Sequence, residues 1–548
     1  MNEHARVSFR YDGMGLPVEE RCDEHLIKRS YDKHGLIRSL QSSLGAQLNY
    51  ERNEYGELIC FKANEAETNA RFTSEHQYDS LGFELERLLP GGVSQSFAYD
   101  NIGRLVNSKT RRSAEQRRSR HYNWGSADRL LSIEDDRYGL TQYSYSPSGE
   151  LTMATYADGT KEYRLSDKVG NLYNDPDKKL RKYLEGSRIE KSGEWTFKYD
   201  KDGQLIEKFR GKAGFFSAKK DCWEYSWNQN GTLKGVFAPH RHGHWTRFTY
   251  DALGRRLTKL GDVTFHYLWN GNVPLHEWQT GNRYVGSVLT PYSEDFKTWL
   301  FEEESFVPLA LIQDGKAYSI VCDQLGTPTE AYDEEGKEVW YRRLDMNGKV
   351  IEETQPGLNP EGYVSIPFLF QGQYYDYETG LAYNRFRYYD PELGRYITED
   401  PIGLAGGIKL YGYVEDPLYA IDILGLSPGS RALDKALGGV KGDQKMAHHL
   451  IPEKTWDAHG DFFNRIGLSG QRDAASNGLL MSDSRKSAIS HGNKLYHSSR
   501  HRAYTAMVDA KINKIEHRFN SGEITKDEAV RQVRSLQKSL RRKINKGT

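Results

Sequence analysis

The residues best able to do chemistry in this 548-residue chain lie near its C-terminus. They are the pair His448-His449, Asn477 within Ser476-Asn477-Gly478, and His497 with His501 in the run HSSRHRAY. Imidazoles four residues apart share one face of a helix and can close on a single metal ion. Two other hydrolytic chemistries are excluded by motif. A zinc deaminase needs Cys-x-x-Cys and a zinc peptidase His-Glu-x-x-His. Neither occurs, and the four cysteines, the last of them Cys322, are scattered without ligand or disulfide spacing.

Helices must hold these residues. After His501, Tyr504, Val508, Ile512, Ile515 and Phe519 recur at helical steps and predict an apolar stripe on one face. Ser521-Gly522 ends that helix, and Thr525 with Glu528 opens another in capping-box spacing, continued by Val533, Leu536, Leu540 and Ile544. Arg500, Arg502, Arg531, Arg534, Lys538, Arg541 and Arg542 give this region a basic surface suited to a phosphate backbone. Residues 427–548 hold 23 Lys and Arg against 12 Asp and Glu, and the rest of the chain 53 against 64. A net charge of zero therefore hides a basic tail that can displace counterions from nucleic acid. His459, His491 and His517 fit no slot in the pattern and read as surface residues.

The first 260 residues read differently. Tyr-Asp-x-x-Gly or a near variant recurs every 20 to 28 residues or so, as at Tyr31-Asp32, Tyr78-Asp79, Tyr99-Asp100, Tyr199-Asp200 and Tyr250-Asp251, with Tyr145 and Trp227 opening looser copies. Such spacing predicts two short strands per repeat, Asp in the turn, Gly at positive φ and aromatics stacking between repeats. No run of 18 apolar residues and no charged segment leading into an apolar one occurs, so neither a membrane span nor a Sec signal is expected. The expected fold is mainly β over residues 1–320 and 321–426, followed by a small α+β domain with C-terminal helices, 427–548.

These repeats resemble the YD repeats of the Rhs and teneurin families. DQLGTP at 323–328 and QGQYYDYETGLAYNRFRYYDPELGRYITEDPIGL at 371–404 tighten the resemblance, which implies a spiral β-sheet shell. It also implies self-cleavage after Leu426 by paired Asp400 and Asp422, since two carboxylates sharing a proton supply acid and base together. Ile423 stands where the family has Pro. The histidine constellation resembles the AHH nucleases of the HNH, ββα-metal superfamily, colicin-type DNases included. That resemblance makes His448, His497 and His501 ligands of one divalent ion, Zn, Ni or Mg, with His449 the general base and Asn477 its orienting partner. It further implies a toxin made in the cytoplasm and delivered by type VI secretion or a similar contact-dependent route. DNA is favoured over RNA as substrate, and an acidic immunity protein and a secretion-apparatus component are expected partners. The competing reading is a non-enzymatic YD-repeat scaffold with a basic nucleic-acid-binding tail.

Overall fold

The computed structural model describes residues 4–546 apart from 14, 33–35, 54–56, 80–82, 101–103, 114, 126–128, 212–219, 241–243, 286–287, 304, 355–363, 404–408, 427–444, 470, 473–477 and 483–501. Two large antiparallel sheets dominate. A 15-stranded sheet runs from Val7–Tyr11 to Lys161–Tyr163 and a 16-stranded sheet from Arg181–Tyr183 to Val350–Glu353. Between them lies a two-stranded piece, Leu165–Ser166 with Leu172–Tyr173. In both large sheets every strand pairs with its neighbours in sequence.

The repeat motif explains this meander. Asp32, Asp79, Asp100, Asp200 and Asp251 each accept, through Oδ1, the backbone N–H four residues on, at 2.8–3.0 Å. The side chain thus satisfies a donor that the turn would otherwise leave open. Gly203 and Gly254 take φ of +74° and +76° in two of these turns, where a Cβ would be strained. Tyr99 stacks on Phe83 of the preceding repeat as expected, with ring centroids 4.9 Å apart, while other repeat aromatics take a further role through their polar tips. Tyr31, Tyr78, Tyr145 and Tyr250 donate their hydroxyls to the carbonyls of Pro17, Leu58, Leu130 and Leu233. Trp124 and Trp227 do the same through Nε1 to Leu105 and Leu205, at 2.7 Å each. The ring lies across the preceding hairpin and its polar tip finds a backbone acceptor, as buried Tyr and Trp require.

The two large sheets share an apolar layer, with Ile27, Leu40, Phe61 and Phe72 meeting Leu268, Leu300, Leu309 and Val321. Buried ion pairs cross the same boundary. Glu20 binds Arg29 at 2.6 Å and also Arg255, and Glu330 of the second sheet binds Arg120 of the first. Arg87 reaches Glu302 at 2.6 Å. Two turns also touch, so closely that a Cβ on Gly336 would lie 2.4 Å from the carbonyl oxygen of Gly91. Residues 364–397 complete a second core with Trp299 and Trp340.

Among the described residues, the C-terminal unit pairs strand Lys445–His449 with strand Gly478–Ser482 and adds four helices: α1 (Glu453–Ala458), α2 (Gly460–Arg465), α3 (Arg502–Asn520) and α4 (Lys526–Lys546). The sequence pattern marked only the last two. Val508 and Ile512 are fully buried, and Thr525 and Glu528 make the capping box, with the Thr525 N–H donating to Glu528 Oε2 at 2.9 Å. Trp456, Phe462 and Phe463 of the two short helices supply the other side of the core.

Candidate functional site

His448 and His449 close a strand, with His448 opposite Leu479 and His449 opposite Gly478. Along a regular strand, neighbouring side chains take opposite faces. His449 is the last residue of its strand, where that constraint is released. Its side chain is 11% exposed, and Nε2 lies 3.6 Å from Glu453 Oε1 in the first turn of α1. That oxygen is buried and has no hydrogen-bond partner among the described residues. The separation is a charge contact rather than a hydrogen bond. Glu453 was not singled out from sequence, although a His-x-x-x-Glu spacing across a helix start is a readable signal.

Asn477, His497, His501 and Arg500 lie outside the described residues, as do the side chains of His448, Arg502, Lys538, Arg541 and Arg542. Arg531 is well exposed on α4. Arg534 turns inward instead, donating to Gln537 at 3.1 Å and to Gln471. His517 is exposed as expected and His491 lies outside the described residues. His459 is not a surface residue. It is 7% exposed, between Glu516 Oε2 at 2.5 Å from Nδ1 and Asp509 Oδ1 at 3.3 Å from Nε2. Burial lowers its pKa, but the two carboxylates prevail and raise it to about 9. No sequence period announces this bridge, because its members lie 50 and 57 positions apart.

The boundary aspartates do come together. Arg387 Nη2 lies 3.1 Å from Asp400 Oδ2 and 3.2 Å from Asp422 Oδ2, under nearly complete burial. Tyr396 donates its hydroxyl to Asp422 Oδ2 at 2.9 Å, and the Leu426 N–H donates to Asp422 Oδ1 at 2.9 Å. Burial raises the Asp422 pKa against the pull of Arg387, and the Asp400 charge adds to the rise. Ile423, standing in for the family's Pro, leaves this arrangement in place. A Cβ on Gly372 would sit 2.3 Å from the Ile423 carbonyl oxygen, so the segment is tightly seated.

Residues 62–404 match the family model described as the teneurin YD-shell. The chain belongs to the teneurin YD-shell family. Residues 433–540 of this YD-shell chain match AHH, a nuclease family of the HNH/ENDO VII superfamily with conserved AHH. The chain is similar to double-stranded DNA deaminase toxin A of Burkholderia cenocepacia, 31% identical over 451 residues that make up 78% of the chain and 30% of that protein. It is similar also to the probable deoxyribonuclease RhsA of Dickeya dadantii, 25% identical over 72% of the chain and 25% of the relative. Toxin protein Tse5 of Pseudomonas aeruginosa is 26% identical over 66% of the chain and 29% of its own length. Among solved structures, the TcdB2-TccC3 crystal structure matches with a TM-score of 0.52 at 16% identity, over 76% of the chain and 24% of that one, and shows the shared fold. The YD-shell chain thus spans less than a third of the length of these relatives. The mainly β shell followed by a small helical α+β unit is the architecture anticipated from sequence.

Proposed function

We propose that this YD-shell chain is a toxin whose C-terminal unit, residues 427–548, hydrolyses phosphodiester bonds of nucleic acid, with DNA as the favoured substrate. The observation that carries the reading is the AHH match over residues 433–540, with the His448-His449 pair at the end of a strand. His449 takes the proton from the attacking water, and Glu453 beside it steadies the imidazolium that results. The donor set His448, His497 and His501 is made of imidazoles, which suit zinc or nickel better than magnesium. Bound there, a divalent ion would stabilise charge on the scissile phosphate. Arg531 at the outer face of α4 would meet the phosphate backbone. An acidic immunity protein and contact-dependent delivery into a recipient bacterium complete the reading.

Induced expression of the chain in a sensitive bacterium, beside His449→Ala, tests it. Growth arrest with degraded DNA, abolished by the substitution, is expected. Intact nucleic acid in both cultures would leave the basic-tail scaffold in its place.

A second activity is favoured by the acid pair: self-cleavage after Leu426. Asp422 already holds the Leu426 N–H, and Arg387 Nη2 gathers the two carboxyls at one nitrogen. The chain with Asp400→Asn or Asp422→Asn is expected to migrate at full length, while the unsubstituted chain yields fragments ending at Leu426 and starting at Ser427. A single full-length band in all three samples would remove this activity.

A further inference from the structure

Arginine is buried freely in this shell, and the rule is that each guanidinium meets a carboxylate: Arg255 with Glu20 and Asp251, Arg256 with Asp376, Arg387 with Asp400 and Asp422. Three arginines at one seam break the rule. Arg164, Arg181 and Arg395 are 5%, 4% and 4% exposed, and none makes an ion pair among the described residues. They gather where the first large sheet ends, the two-stranded piece intervenes and the second large sheet begins.

Their hydrogen bonds go to uncharged acceptors. Arg164 donates to Asn347 Oδ1 and to the carbonyls of Glu415 and Val414, at 2.8–3.1 Å. Arg181 donates to the carbonyls of Leu172, Leu393 and Glu392, and its Nε is left without a partner. Arg395 donates through Nη2 to the Ser187 carbonyl at 2.7 Å and lies over the Tyr411 ring at 4.6 Å. Its Nε and Nη1 carry no hydrogen bond among the described residues. Carbonyls satisfy donors but do not neutralise charge, and an uncompensated buried cation is costly. Burial pushes the Arg164 guanidinium below its ordinary range, prevailing over the opposing pull of Tyr389 and of the carboxylates of Asp416, Glu150 and Glu162.

The missing charge has somewhere to sit. Arg164, Arg395 and Lys409 line a single cleft with Gly170, Gly394 and Gly412, enclosing about 340 Å³ that shades into solvent. Glycine lets its walls pack closely, since a Cβ on Gly170 would lie 2.4 Å from Lys409 Cγ and one on Gly394 2.7 Å from Asn347 Oδ1. Lys409 at the rim is already paired, with Glu150 and with Glu415 at 3.4 Å, so the unspent charge belongs to the arginines. Because part of that volume is open solvent, only a small occupant fits within it.

We propose that this cleft is a binding site for one small oxyanion of the phosphate class, held by the guanidiniums of Arg395 and Arg164 and closing the seam between the two sheets. Forked donors on a planar guanidinium match such an anion and supply the countercharge that the carbonyls cannot.

Thermal unfolding of the full chain in sodium phosphate, against sodium chloride at matched ionic strength, tests the site. A ligand that binds only the folded state raises the midpoint saturably, here by about 2 °C or more. His449→Ala is expected to keep the rise, which separates this cleft from the C-terminal unit, and Arg395→Gln is expected to abolish it. Should Arg395→Gln fail to fold, Arg164→Gln is read instead, with loss of the phosphate-dependent rise expected and an unchanged rise counting against the site. Equal midpoints in phosphate and chloride, or a rise that survives Arg395→Gln, overturn the proposal.

Discussion

Held from both ring nitrogens by carboxylates of α3, the His459 imidazole keeps its proton well above the pH at which a free histidine loses it. Its folded pKa is raised from 6.5 to about 9. The stability it contributes is fully present below about 6.5 and is lost as pH rises through about 9. The whole effect is on the order of 3 kcal/mol. The protection factors of amides between Thr455 and Ile466, each taken against the intrinsic exchange rate at that pH, are therefore expected to fall over that window, while His459→Gln shows low protection at every pH. Protection that is flat with pH in the unsubstituted chain would show that the bridge carries no such energy. A lone histidine next to Gly460 offers no cue to any of this, because its partners are chosen by helix packing and not by spacing. The His448-His449 pair stands out in the sequence for the opposite reason: its two members are adjacent, and the strand register sets them opposite Leu479 and Gly478.

Among the elements, the hairpins were the most legible. The Asp side chain that caps each turn acts over four residues, so the sequence carries the whole interaction. The tyrosine hydroxyl reaches 14 to 20 residues back, a bond that the expected stacking does not foretell. The short helices α1 and α2 escaped notice because His459 parts them before either completes an apolar period. Turn contacts between sheets are the least readable, and they make a sharp prediction. Gly336 and Gly271 both hold positive φ, at +77° and +59°, but a Cβ on Gly336 strikes Gly91 whereas one on Gly271 meets nothing within 4 Å. Gly271→Ala is expected to cost about 1 kcal/mol in urea unfolding, from backbone strain alone. Gly336→Ala should cost about 2–3 kcal/mol more. Equal losses would mean that the turns do not touch in solution.

At the scale of the whole molecule, the two sheets are joined by side chains some 200 residues apart, and no period in the sequence announces which will meet. Glu330, fully buried, compensates Arg120 across that joint. Glu330→Gln leaves Arg120 with Asp135 alone and is expected to destabilise the shell by about 3–5 kcal/mol. Replacing Arg120 and Glu330 together by apolar residues of similar size should recover most of that loss, read as the shift in urea midpoint. If the double replacement is as unstable as Glu330→Gln, the pair is contributing more than mutual neutralisation. The sequential meander has a mechanical consequence as well. Because every strand of a large sheet pairs only with its neighbours along the chain, a pull on either end meets one hairpin at a time and never a knot or a crossed strand. The joints that interrupt such an unzipping are the buried arginines that cross between sheets. Under tension the polypeptide would yield in a train of small steps punctuated by a few harder ones.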